Sequence, residues 1–223
     1  MSNQRPRITF DNEGICSPCR YTEMKKNNEI NYEKIKIELE KLLDKYRKND
    51  GSYDIIVPCS GGKDSSAVMV LVYLALLGLK PEERHKHVFV VASDTLVETP
   101  IVVNHVNRSL EAIQRGAARD KLPITSHKVV PKTNETFWSN LLGKGYPAPT
   151  RNFRWCTERM KIDPVSTFIT DKVNQYDEVI VVLGSRSQES ASRAQVIAKH
   201  KIDGSDLAKH TTLSNAFIYT PID

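Results

Sequence analysis

Cysteine is scarce, four in 223 residues, which leaves this chain short of the residues that cross-link small secreted domains; two tryptophans and an aromatic content of 7% are low as well. A disulfide-rich scaffold is thereby excluded. Long apolar runs are missing too. The longest, Ala67 to Leu79, spans about 13 residues, where a bilayer needs about 20. The first residues are polar and basic without the apolar stretch of a secretory signal, so no membrane partner is expected and the expected location is cytoplasmic. In that compartment the cysteines are expected as reduced thiols, metal ligands or redox groups. Neither sign of charge dominates: 32 Lys and Arg stand against 27 Asp and Glu, a formal +5. That excess is compatible with a nucleotide or nucleic-acid partner without demanding one. No internal repeat or low-complexity tract is present. What remains is 39% hydrophobic with mixed charge, the make-up of a globular chain with a packed core.

Two regions follow from the pattern. Residues 1–50 form a short N-terminal segment containing Cys16-Ser17-Pro18-Cys19, then an amphipathic helix over Tyr32 to Lys48, where Ile35, Leu39, Leu42 and Tyr46 recur at helical spacing before Asn49-Asp50-Gly51. Residues 51–223 alternate strand and helix. Strands are expected at Asp54 to Pro58, His87 to Ala92, Ile124 to Val130 and Glu178 to Leu183. Helices are expected near Asp64 to Leu79, Thr99 to Arg119, Glu135 to Leu142 and Thr157 to Asn174. Apolar strands alternating with helices predict an α/β, doubly wound parallel sheet, with ligands at the carboxyl ends of the strands.

The chemistry concentrates where the first strand ends. Ser60-Gly61-Gly62-Lys63-Asp64-Ser65 follows Ile55-Ile56-Val57, a strand, a glycine turn and a helix start, which gathers backbone N–H groups around an anion. The glycines can take positive φ, Lys63 adds a mobile cation, the serines add donors, and Asp64 is a candidate ligand for Mg²⁺. The spacing is not that of a Walker A loop, because Val57 stands where its first glycine belongs and Asp64 where its Ser/Thr belongs. The same edge receives Asp94 and Thr95 after the second strand, and Gly184, Arg186 and Arg193 after the fourth. Asp94 and Thr95 are candidates for adenosine or Mg²⁺, while the arginines suit phosphate oxygens. Thr99-Pro100 reads as a helix cap. Between Tyr146 and Pro164, Arg151, Arg154, Arg159 and Lys161 interleave with Phe153 and Trp155, a pattern that fits a nucleic-acid backbone or, more plainly, a solvated basic face over two core aromatics. Cys156 sits among these cations at an expected helix start, conditions that favour a thiolate. Cys16 and Cys19 supply half of a zinc or iron–sulfur site, and Cys156 is the candidate third ligand; Cys59, directly before the loop, reads as core.

Ser60 to Ser65 resembles the pyrophosphate loop (PP-loop) of the ATP pyrophosphatase superfamily. From about residue 54 onward the chain resembles the C protein of the Dnd DNA phosphorothioation system (DndC), which is similar to phosphoadenosine-phosphosulfate (PAPS) reductases. The matching stretches include Ser93 to Pro100, Thr136-Phe137-Trp138, Gly145 to Arg151, Phe153 to Thr157, Leu183-Gly184, Arg193-Ala194-Gln195 and Asn215 to Ile222. Gly184, Arg186, Glu189 and Ser190 meet the reductases' Gly-x-Arg-x-x-Glu-Ser pattern. The first 65 residues are instead similar to N-acetyl sugar amidotransferases, through Arg7 to Asp11, Gly14, Cys16, Cys19-Arg20-Tyr21 and Leu42 to Arg47. These resemblances imply an adenine nucleotide alpha hydrolase-like fold, shortened at its C-terminus relative to the phosphorothioation family. They imply ATP and Mg²⁺, and AMP- and pyrophosphate-forming activation of an acceptor for sulfur insertion, with DNA and a sulfur-donating cysteine desulfurase as partners. The sugar enzymes imply a carbonyl acceptor; a non-catalytic nucleotide-binding module is the third reading. A 4Fe-4S cluster or Zn²⁺ on Cys16, Cys19 and Cys156 is the implied metal. Lys63, Asp64, Cys156 and Arg186 are the implied catalytic residues, and Arg151, Arg154, Arg186 and Arg193 the implied substrate contacts.

Overall fold

The computed structural model describes residues 10–27, 37, 53–150, 152–186, 195, 198–200, 202, 207–210 and 212–222. The expected helix over Tyr32–Lys48 lies outside them except at position 37, and Arg151, Glu189, Ser190 and Arg193 lie outside as well. A short helix, α1 (Ser17–Lys26), follows a hairpin-like turn; it was not legible as a helix because its polarity is nearly uniform. The chain then enters β1 (Tyr53–Pro58), α2 (Lys63–Gly78), β2 (Val88–Ser93), α3 (Pro100–Asp120) and β3 (Ile124–Val129). After an irregular stretch come α4 (Asp163–Tyr176), β4 (Glu178–Val182), β5 (Leu207–Lys209) and β6 (Ala216–Tyr219).

The strands form one sheet in the order β3-β2-β1-β4-β6-β5, parallel except for the edge strand β5. The doubly wound expectation therefore holds, extended by two strands and one antiparallel pairing. Strand alternation explains the layers. Ile55, Val57, Val88 and Val90 point to the face covered by α2 and α3, while Ile56, Phe89 and Val91 point to the face under α4. Both sets are buried, which is why the strands read as continuous apolar runs.

Two helical expectations need correction. Over Glu135–Leu142 the chain makes a tight turn, Thr133–Glu135, and a wide helical turn, Ser139–Gly143. There the side chains of Ser139 and Asn140 bond the backbone locally: Asn140 Nδ2 donates to the Thr136 carbonyl at 2.9 Å, and Ser139 Oγ to the Thr133 carbonyl at 2.7 Å. The helix expected from Thr157 to Asn174 starts earlier, with the turn Trp155–Thr157, and widens over Glu158–Ile162 before α4. Pro164 lacks the N–H that regular α-helical bonding would use, and the widened turn precedes it.

Candidate functional site

Strand order reverses at β1: β2 and β3 lie to one side of it and β4 to the other. A crevice opens at such a switch point, beyond the carboxyl ends of the strands. The loop after β1 and the residues after β4 meet there. Gly61 carries φ +72, a conformation side chains resist, and its carbonyl accepts a hydrogen bond from His105 Nε2 of α3 at 3.1 Å. Gly62 does not use this freedom; it is the extended residue capping α2, with φ −78 and ψ 163. The loop is stapled to the helix it precedes. Ser65 Oγ donates to the Gly62 carbonyl at 3.0 Å, lies 3.1 Å from Ser60 Oγ, and accepts from the Ser60 N–H at 3.3 Å. Gly184 explains its own presence: a Cβ there would stand 2.8 Å from the Asp64 carbonyl carbon and the Ser65 nitrogen. The backbone after β4 is thus pressed against the first turn of α2.

These residues form a wall of a cavity of about 650 Å³, lined by Ser60, Gly62, Lys63, Asp64, Ser65, Asp94 and Gly184 among those named from sequence. Val102, Val103 and Val106 from α3 add an apolar part to the lining, and Val106 stands beside Gly61. Lys63 is exposed at the start of α2. Asp64 pairs with Arg186 at 3.3 Å, so Arg186 reaches the loop from the β4 side. Asp94 accepts a bond from the Leu96 N–H at 2.9 Å and pairs with Lys128 at 3.1 Å. Thr95 is buried and donates to Glu98 at 3.2 Å, and Glu98 pairs with Lys161 at 3.2 Å. Thr99 occupies the cap position of α3, before Pro100, without a side-chain capping bond.

Glu98, which follows the second strand at this edge, also lines the cavity, while sequence reading missed Lys128 and Lys161 as lining residues. Lys128 was findable: it is the next-to-last residue of β3, at the same sheet edge. Lys161 arrives through tertiary packing, because Ser93 Oγ donates to the Met160 carbonyl at 3.1 Å and draws that turn across the end of β2. Arg154 and Cys156 do not line the cavity; Cys156 is half-buried in the turn Trp155–Thr157. Beside them Trp155 is buried, stacks on Phe137 and donates to the Pro147 carbonyl at 3.0 Å. Arg159 is not a solvated cation: it pairs with Glu135 and donates to Tyr146 Oη at 3.0 Å. The hydrogen bond from Lys144, then that from Arg159, pull the Glu135 carboxyl down to about 2.

All four cysteines are free thiols. Cys59 is buried in the core beneath the loop, as expected. Cys16 and Cys19 are neighbours: hydrogen bonds from the Cys19 thiol, then from the Cys19 backbone N–H, hold the Cys16 thiol below its usual range. Among the described residues, however, no three His, Cys, Asp or Glu side chains gather as a metal site, so Cys156 does not join this pair. A 4Fe-4S cluster needs three or four thiolates at one place, and this arrangement does not fit one. Asp64, in the loop at the wall of this cavity, does fit Mg²⁺, which binds through few protein ligands.

Fold and crevice together define a class: a doubly wound α/β domain presenting a glycine loop at its switch point. Within that class, the chain belongs to the phosphoadenosine phosphosulfate reductase domain family, which it matches over residues 54–204. An uncharacterised protein of Methanocaldococcus jannaschii is 30% identical over 165 residues, 70% of this chain but 29% of its own length. The chain thus spans under a third of that relative. Solved structures similar to it include the PAPS reductase of Candida auris in its phosphate complex, with 12% identity, TM-score 0.46 and coverage of 96% of this chain and 80% of that one. Others are the U34-tRNA thiolase of Methanococcus maripaludis with its [4Fe-4S] cluster (10%, TM-score 0.46, covering 85% and 60%) and the NH3-dependent NAD synthetase of Campylobacter jejuni (18%, TM-score 0.44, covering 72% and 59%). No helix among the described residues is long and apolar enough to cross a membrane.

Proposed function

We propose that this chain is an ATP-dependent, AMP- and pyrophosphate-forming enzyme that activates an acceptor oxygen for replacement by sulfur, with a DNA phosphate as acceptor. The observation carrying the reading is the Ser60–Ser65 loop, held by Gly184 and His105 at one wall of a nucleotide-sized cavity. The apolar α3 wall suits an adenine ring, and the loop N–H groups with Lys63 suit the β- and γ-phosphates. In the first step an acceptor oxygen bonds to the α-phosphorus, the bond to the bridging oxygen breaks, and pyrophosphate leaves. The N-terminus of α2 and Lys63 stabilise the charge that develops on it. Mg²⁺, when bound, would neutralise phosphate charge, with Asp64 as its protein ligand. In the second step hydrosulfide attacks the activated acceptor phosphorus, and AMP leaves with the acceptor's former oxygen. Arg186 would support the α-phosphate, and we assign Arg151, Arg154 and Arg193 to acceptor binding and Cys156 to sulfur transfer.

Pyrophosphate release from ATP and Mg²⁺, with DNA and hydrosulfide supplied, tests the chemistry. DNA-dependent release that Lys63→Ala abolishes is expected; its absence in the wild type would overturn the enzyme reading and leave a nucleotide-binding module. DNA gel shifts at two salt concentrations test the acceptor. Binding that weakens steeply with salt is expected, whereas a sugar acceptor, as the resemblance of residues 1–65 implies, predicts none.

A further inference from the structure

The stretch from Lys128 to Lys161 holds both tryptophans of the chain, and seven Lys and Arg against two acids, Glu135 and Glu158. The two indoles are used differently. Trp155 is buried and stacks on Phe137, with ring centroids 5.6 Å apart. Trp138 meets the same Phe137 at 90°, centroids 5.1 Å apart, yet stays 58% exposed. An edge-to-face contact orients the indole while leaving ring surface in water. Its N–H finds no acceptor among the described residues. Leu142, four residues on in the wide helical turn, is 74% exposed, and Phe153, two residues before Trp155, is 44% exposed. The cations fall into two sets. Lys144 and Arg159 are tied to Glu135, Lys128 to Asp94 and Lys161 to Glu98. Lys132 and Arg154 are exposed, and neither pairs with a carboxylate among the described residues.

We propose that this surface is a stacking platform for single-stranded DNA: an unpaired base lies on the Trp138 indole, and Lys132 and Arg154 hold flanking phosphates. The inference rests on the DNA acceptor proposed above and narrows it to an unpaired strand. Inside a duplex both faces of each base are already covered by its neighbours, so an exposed indole has nothing to stack on. An unpaired base offers a free face, and any base will serve. Exposed apolar side chains mark a binding surface of some kind. The excess of cations around this one selects a polyanion over a protein surface of mixed charge. The backbone that carries Arg154 and Trp155 runs on to Lys161 in the cavity lining, so a strand held here adjoins the crevice.

The test is fluorescence anisotropy of a short labelled oligonucleotide, single-stranded or annealed to its complement, titrated with the full chain at low salt, with tryptophan emission followed in parallel. The single strand should bind about tenfold tighter than the duplex or more, and should quench the exposed tryptophan. Trp138→Ala should weaken single-strand binding about tenfold or more and remove the quenching, whereas Trp138→Phe, which keeps a ring to stack on, should retain most of the affinity. Arg154→Gln should lessen the salt dependence and leave the quenching in place. Trp155 is the one tryptophan left in Trp138→Ala, and its buried-type emission reports that the fold is kept. Equal affinity for strand and duplex, or single-strand binding unmoved by Trp138→Ala, would overturn the proposal and leave the DNA acceptor standing. Emission unmoved by a strand that does bind would overturn it too and give the exposed indole to a protein partner. Binding to neither form would remove the DNA acceptor, and this inference with it.

Discussion

Lys63 and Gly184 contribute to the crevice in different ways, one by charge and the other by lacking a side chain. Removing Lys63 leaves the loop's backbone intact, so Lys63→Ala should fold normally while slowing pyrophosphate release about 100-fold or more, the scale of losing one preorganised donor. Gly184→Ala is the opposite case. Its methyl would meet backbone atoms of α2 at 2.8 Å, which cannot swing aside as a side chain would. Thermal and urea unfolding should show a loss of roughly 1–3 kcal/mol, and calorimetric ATP affinity should fall with it. The glycine loop and Gly184 were legible in the sequence because few other residues suit such positions. The Asp64–Arg186 and Asp94–Lys128 pairs were not, since their partners lie far apart in the chain and only the sheet brings them within reach.

Among the elements, the irregular stretch between β3 and α4 depends on charge more than the core does. Glu135 ties it together by accepting from both Lys144 and Arg159. Its carboxyl is depressed to about 2 in the folded chain, against an ordinary value near 4.5. A depressed acid stabilises the fold fully above its unfolded pKa and loses that contribution as pH falls through the folded one. The melting-temperature advantage of wild type over Glu135→Gln should therefore be constant above about pH 5 and shrink between about pH 4.5 and pH 2. On the other face of the sheet, Tyr73 of α2 donates to Asp120 at the end of α3. Tyr73→Phe should lower unfolding free energy by about 1 kcal/mol in denaturant titration, the usual net worth of such a bond. The alternation of apolar strands with intervening helical segments located α2, α3 and the bulk of α4. The wide turn before Pro164 and the absence of a regular helix after Glu135 came from local hydrogen-bond competition that periodicity does not register.

For the whole molecule, β4 is an inner strand only because β6 pairs with it, from Val179↔Ala216 to Val182↔Tyr219. Deleting residues 207–223 would bare a row of unpaired backbone groups on an apolar strand. Such a variant should aggregate in size-exclusion chromatography and lose cooperative urea unfolding. The sequence by itself determined the α/β class, the four central strands and the glycine loop, because burial on both faces and a tight turn between strand and helix each restrict residue choice over short spans. Only the tertiary structure decided the reversal of strand order at β1, the addition of β5 and β6, and the meeting of Gly184 with α2. It also decided that Cys156 stands apart from Cys16 and Cys19. These are contacts between distant segments, and the energy that selects them comes from packing the assembled sheet rather than from the preferences of any one segment.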